Sequence, residues 1–299
     1  MLEMLYGTMD IFGEAYSIRL NGKGLGLASA DGIKIVAKSN NEGINVRVEP
    51  GLKHGMIHVP TLLSKSGAKD KVCNDFHIGA GSQVVIMAGC GIHSDTTHLT
   101  QHDGVHRFFV GAGAKVRYVE KHFGMGEEEG RRTLNPTTIV RLEAGGLLEM
   151  EMMQIGGIDV ARRTMKCEVG DGARLLVSER VMTGGHDKVV ANYAVNLVGG
   201  SSGATLSSRV VAKDKSRQKL HVELIGESTC FGHSQCDAMI MDDAIVEAIP
   251  EVKARHADAK LVHEAAIGRI AEDQIIKLMT LGLSEKEAER TIVDGFLGQ

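Results

Sequence analysis

Along most of the chain, apolar and polar residues alternate with a period of two, in short runs that each follow a glycine or an aspartate. The runs GSQVVI from Gly81, GAKVRYV from Gly113, GGLLEM from Gly145, GARLLV from Gly172 and GATLSSRV from Gly203 share this pattern. DAIVEAI from Asp243 and DAKLVHE from Asp258 are weaker copies. The first five starts are separated by 32, 32, 27 and 31 residues. Each copy is preceded by a second short apolar stretch, for example HRFFVGAG, TTIVRLEAGG, TMKCEVGDG and YAVNLVGGSSG. Glycine permits positive φ at a bend, and the β-branched alternation suits half-buried strands. A repeat near 30 residues built from strand–turn–strand units predicts stacked β-coils, that is, a solenoid. A β-sandwich is the competing architecture, but it would place a turn about every 8–12 residues.

The period changes abruptly in EAAIGRIAEDQIIKLMTLGLSEKEAERTIVDGF. Ile267, Ile270, Ala271, Ile275, Leu278 and Met279 fall on one face of a helix. Gly282 supplies a stop, and Ser284 with Glu287 forms an S-x-x-E capping box that starts a second helix. Ala288, Ile292 and Phe296 give that helix an apolar stripe. The expected division is a 1–20 N-terminal segment, a 21–264 β-solenoid and a 265–299 helical hairpin. The hairpin serves as a solenoid cap, as a docking surface for a partner, or as both.

Composition agrees with stacked short strands. The 299 residues include 37 Gly, 4 Pro and no Trp, with aromatics at 4%, so the core must be filled by aliphatic residues and Met. A formal charge of −4 gives no reason to expect nucleic acid or an anionic membrane as partner. No apolar run approaches the ~20 residues of a membrane span. Glu3 and Asp10 interrupt the N-terminal stretch where a signal peptide would need an unbroken apolar block. A cytoplasmic protein is expected. Its five cysteines, Cys73, Cys90, Cys167, Cys230 and Cys236, are odd in number and irregularly spaced, which argues for thiols rather than a disulfide framework.

Two stretches are candidates for chemistry. In CFGHSQCDAMIM, Cys230 and Cys236 flank a histidine, and LVHEAAIGRIAEDQ carries His263 and Glu264. Thiolate, imidazole and carboxylate are suitable ligands for iron or zinc, although this spacing matches no zinc-finger pattern. The second stretch, CGIHSDTTHLTQHDGVHRF, holds Cys90 with His93, His98, His102 and His106. It has the look of a polar loop between strands, and its histidines are either metal ligands or surface residues. Met150, Met152 and Met153 are expected in the core. There is no Walker phosphate loop and no G-x-S-x-G nucleophile elbow.

SQCDAMIM and the run HEA…G.I.EDQ…L...GLSE.EA...IV.GF resemble the SufB/SufD family of iron–sulfur cluster assembly scaffolds, in a short form without a long N-terminal helical region. The resemblance extends more loosely back to about residue 20. It implies an all-β fold, a right-handed parallel β-helix with a small C-terminal α-helical subdomain. It also implies a non-enzymatic scaffold for a transient iron–sulfur cluster, working with an ABC-type ATPase, SufC, that docks on the C-terminal helices. The cysteine of the SufB T-Q-C-D stretch falls on Cys236, and the H-E of its H-E-A segment falls on His263 and Glu264, implicated as cluster ligands. SufD lacks that cysteine and carries H-G-A, so this chain is SufB-like at both places. A homodimer, or a SufB/SufD-type heterodimer, is implied. Cys167 is the candidate for relaying sulfur from an unspecified donor. The alternatives are a β-helix polysaccharide lyase or hydrolase, for which the aromatic content is poor, and a stable metalloprotein using the His93–His106 stretch.

Overall fold

The glycine at the head of each repeat turns a corner. Gly81, Gly113, Gly145 and Gly172 have φ of +66°, +64°, +65° and +60°, the left-handed region where a Cβ is disfavoured. Their N–H groups donate from coil to coil, to the carbonyls of Ala112, Ala144, Asp171 and Gly200. The fifth corner differs from the sequence reading. It is Ser201, with φ of +56°, that donates to the Thr229 carbonyl, while Gly203 lies inside a strand.

The computed structural model describes residues 15–40, 42–127 and 129–298; the leader reading at Glu3 and Asp10 lies outside them. The chain is a parallel β-helix of about eight coils, 63% strand, with two short helices at its C-terminal end. Among the described residues there are twenty strands, β1 to β20 in chain order, in two sheets. Each coil adds one strand to each sheet, save that one coil's strand in the second sheet is split into β10 (Arg131–Leu134) and β11 (Thr137–Leu142), which pair with the same two neighbouring strands. The register in one sheet runs Lys115↔Leu147↔Arg174↔Gly203↔Phe231↔Lys260, all parallel. Parallel pairing of this kind is incompatible with the β-sandwich alternative. The chain departs from it where β1 (Ala15–Leu20) pairs antiparallel with β2 (Lys23–Ala28), and β3 (Ile33–Ala37) with β4 (Ile44–Val48). DAIVEAI is half a coil out of phase with the other copies: its strand β19 (Ile245–Ala254) joins the second sheet, after a corner at Asp242.

Alternate residues of each strand face the interior, where Val, Ile, Leu, Met and Ala fill the core around Phe76, Phe108 and Tyr118. Met150 and Met152 are buried there, but Met153 follows directly on Met152 and so turns outward, half-buried.

At the far end, β18 (Cys230–Ile240) pairs with the last strand, β20 (Ala259–Arg269). The strand continues past residue 264, so Ile267 lies on a strand rather than on a helix. Helix α1 (Glu272–Thr280) begins after it and buries none of its residues. Helix α2 (Glu285–Leu297) begins at the expected capping box of Ser284 and Glu287. It buries Ala288, Val293 and Leu297, with Ile292 and Phe296 half-buried beside them. Val293 and Leu297 pack against Val211, with Met182 and Met239 alongside, so α2 is anchored to the solenoid and α1 is held away from it. No helix among the described residues is long and apolar enough to cross a membrane.

Candidate functional site at the open end of the solenoid

Strand alternation decides which of the expected residues meet. On β18 the inward positions are Cys230, Gly232, Ser234, Cys236 and Ala238. Their partners on β20 are Ala259, Leu261, His263, Ala265 and Ile267. Cys236 and His263 therefore share the inner face, on adjacent strands and two residues apart in register. Both line a small cavity of about 10 Å³, with room for little more than one water molecule. Glu264, the next residue along, faces the opposite way. Its Oε2 lies 3.3 Å from His233 Nε2 on the outer surface, and its side chain is 62% exposed. The thiolate–imidazole–carboxylate trio thus divides into an inner pair and an outer carboxylate. Among the described residues, no three His, Cys, Asp or Glu side chains converge as a metal site.

Cys236 is 1% exposed. Burial, followed by the charges of Glu179 and Asp237, pushes its thiol up to about 11. It is a protonated thiol at neutral pH, and ligation must displace that proton. His263 Nδ1 lies 2.7 Å from Ser234 Oγ, and burial, then the charge of His233, lowers its pKa. A neutral imidazole is the ligating form. Cys230 also faces inward, six residues earlier, but in a different setting. A Cβ on Gly226 would come within 2.9 Å of Cys230 Sγ, so this thiol fills the space beside a glycine in the apolar core.

One part of the site is a buried polar cluster not singled out from the sequence. Glu179, on β14 (Arg174–Thr183), is the register neighbour of Ser208, on β16 (Ser202–Ala212), and Ser208 is the neighbour of Cys236. Glu179 accepts hydrogen bonds from Ser208 Oγ at 3.1 Å, from Arg163 Nη1 at 3.0 Å and from the Tyr193 hydroxyl. Arg163 and Glu179 are each 2% exposed, an ion pair held entirely inside the solenoid. Arg163 also reaches Gln154 and His122, and beyond them Glu120 accepts from Tyr118 at 2.8 Å. A signal for these residues was present: Glu179 in VSERV and Arg163 in ARRTM occupy inward positions that the alternation reserves for apolar side chains.

The four-histidine stretch is a polar loop only over residues 94–98, which include His98. His93 ends β7 (Gln83–His93), while His102 and His106 are inward residues of β8 (Leu99–Val110). Each has its own partner: His93 with Asp95 at 2.6 Å, His98 with Thr96 at 3.3 Å, His102 with Asp70 at 3.1 Å, and His106 with the Tyr118 hydroxyl at 2.6 Å. Burial lowers the pKa of His106 to about 3. Alternation and partnering disperse the four rings, so the stretch is no chelate. All five cysteines are free thiols. Cys90 and Cys167 are buried, and burial alone raises Cys167, whose register neighbours are Val140 and Val195.

Comparison with known proteins gives the family. Residues 73–296 match the family described as "SUF system FeS cluster assembly, SufBD core domain". This chain belongs to the SufBD family. An iron–sulfur cluster assembly SufBD family protein of Archaeoglobus fulgidus is 30% identical over 258 residues, 85% of this chain and 68% of the relative. Another from Pyrococcus horikoshii is 27% identical over 286 residues, 92% of this chain and 84% of that one. The iron–sulfur cluster assembly protein SufB of Bacillus subtilis is 34% identical over 100 residues, 30% of this chain and 21% of that protein. Membership of this family favours the assembly reading over the polysaccharide lyase or hydrolase alternative. The Arg163–Glu179 pair is sealed inside the coil rather than set in an open groove.

Proposed function

We propose that this SufBD chain is a non-enzymatic scaffold on which an iron–sulfur cluster is built and from which it is released. The cluster is cargo rather than a resident group. Cys236 supplies the thiolate and His263 the imidazole, and the observation that carries the reading is their adjacency on the inner face of the last two strands. A mixed ligand set suits release, because all-thiolate ligation holds clusters tightly. Glu264 joins the set from the outer face of β20, and it reaches the cluster of a second chain brought up around a two-fold axis. That second chain is either another copy, giving a homodimer, or a SufD-like partner.

The chain carries no nucleotide-binding motif, so ATP hydrolysis is assigned to a SufC-like ABC ATPase docked on the C-terminal helices. The exposed Ile276, Met279 and Leu281 of the α1 region form an apolar face for it, 59%, 43% and 76% accessible. The complex works in the cytoplasm. The test is anaerobic reconstitution with iron and sulfide in the presence of the ATPase, read by visible absorbance and by iron and sulfide content. Cys236→Ser keeps the size of the side chain but replaces a soft donor by a hydroxyl that stays protonated. Its fold is retained and its cluster is lost. A Cys236→Ser protein holding as much cluster as the wild type would overturn the assignment.

A further inference from the structure

Ser234 and His263 are register neighbours on β18 and β20. Ser234 is 2% exposed, and its Oγ lies 2.7 Å from His263 Nδ1. The other ring nitrogen, Nε2, is buried and has no hydrogen-bond partner among the described residues, although the ring lines the cavity beside Cys236. A histidine that ligates through one nitrogen needs a partner on the other, which fixes both tautomer and ring orientation.

We infer that Ser234 is a positioning residue for His263: its hydroxyl holds the ring by Nδ1, so that Nε2 is kept for a ligand beside Cys236. The inference rests on the ligand role proposed above for His263. A hydroxyl is suited to the task because it both donates and accepts. With the ring proton on Nε2, Ser234 donates to Nδ1. With a soft cation on the Nε2 lone pair, the proton resides on Nδ1, which donates to Ser234 Oγ. The imidazole is neutral in both states, so the exchange moves one proton from Nε2 to Nδ1 with no net uptake. The ring keeps its place while its occupant comes and goes. A carboxylate at position 234 could only accept, and an alanine could do neither.

The experiment uses the whole chain with ¹⁵N-labelled histidine and Cd²⁺ as a soft probe ion under anaerobic conditions. Long-range ¹H–¹⁵N spectra read the tautomer of His263, whose signals are assigned by their loss in His263→Ala. In the wild type, Cd²⁺ is expected to shift Nε2 to the metal-bound position and to leave the proton on Nδ1. Ser234→Ala should weaken Cd²⁺ binding at His263 by roughly 10–100-fold, the usual effect of losing a histidine's outer partner. Ser234→Thr, which restores a hydroxyl, should recover the wild-type affinity. A Ser234→Ala protein that binds Cd²⁺ at Nε2 as tightly as the wild type overturns the positioning role and leaves the ligand role standing. Wild-type protein in which Cd²⁺ moves neither nitrogen of His263 overturns both. Should Ser234→Ala fail to fold by circular dichroism, the wild-type spectra decide alone: an Nδ1 proton that is protected from exchange with water in the Cd²⁺-bound state, as a hydrogen bond to Ser234 Oγ requires, supports the role, and an unprotected Nδ1 proton or Cd²⁺ bound at Nδ1 removes it.

Discussion

The open end of the solenoid has two edges, and they are built differently. β19 carries Pro250 together with Glu247, Glu251 and Lys253. Its charges are tied to the neighbouring strand β17 (Arg217–Gly226): Glu247 to Lys219 at 3.3 Å, Glu251 to His221 at 3.2 Å, and Lys253 to Glu223 at 2.5 Å. Proline and charge are the usual means of blunting an edge against further pairing. β20 has neither device across Ala265–Gly268, a run of small and apolar residues that is exposed along its length. One edge is guarded and the other is left available. The N-terminal end sharpens the contrast, because there the chain folds back on itself and adds the antiparallel strands β2 and β3 to the two sheets. A solenoid whose exposed coil keeps its apolar positions requires something to cover it, and here the site residues lie in the strands next to that surface.

Matched substitutions at the two edges test this reading most severely. Val252 and Ile267 both point inward, on β19 and β20, and are 43% and 44% exposed. Ile267→Lys should dissociate the two-fold assembly, raising its dissociation constant roughly thirty-fold or more, as for an interface hot spot of about 2 kcal/mol. Val252→Lys should leave it nearly unchanged. Light scattering across a concentration series measures both. Equal effects would mean that the two edges contribute alike and that the guarding of β19 has no bearing on assembly.

The next contrast lies between the two helices. Ile276→Asp and Leu281→Asp alter side chains that contact little of the solenoid, so the thermal midpoint should stay within the range of ordinary surface changes, about 0.5 kcal/mol. Co-purification with the ATPase should nonetheless be lost. Val293→Asp on α2 should behave in the opposite sense, because it places a charge in the packing against Val211 and destabilises the end of the solenoid directly. Retained ATPase binding in the α1 variants would move the docking face elsewhere. Within the ligand set the effect is smaller again: His263→Ala should retain part of the cluster in anaerobic reconstitution, as one ligand among several, whereas complete loss would make the imidazole as necessary as the thiolate.

The parts of the molecule legible in the sequence were those governed by local rules. A glycine with positive φ recurs at the corners of four successive repeats, and the capping box of Ser284 and Glu287 starts α2, so most coils and α2 could be read directly. The departures arose where two rules competed. Ser201 takes a corner in place of Gly203 because the register set by the coils above and below outweighs the preference for glycine. Ile267 fits a helical period and a strand period equally, and pairing with Ala238 on β18 decides for the strand. The site was read as a set of residue types, which strand parity then divided, since His263 and Glu264 are consecutive and must point to opposite faces. The Arg163–Glu179 pair stayed hidden for a different reason. Polar residues inside a coil look like surface residues until the inward positions of each strand are fixed.

The smallest expected effect concerns the two cysteines of CFGHSQCD, which share a strand, an inward orientation and a thiol raised by burial. They differ in their neighbours. Both belong to the same apolar core, but Cys236 also lines the cavity with His263 and Glu179 and lies beside Ser208, whereas Cys230 packs against Gly226 away from that cavity. Cys230→Ser therefore removes no candidate ligand. It places a hydroxyl in a site 5% exposed, which should lower stability by about 1–3 kcal/mol and leave cluster reconstitution at the wild-type level. The two readouts separate the roles: a thermal melt reports the packing cost, and iron and sulfide content reports the chemistry. If Cys230→Ser loses cluster in proportion to Cys236→Ser while remaining folded, the contrast between the two thiols fails, and both belong to one site at the end of the coil.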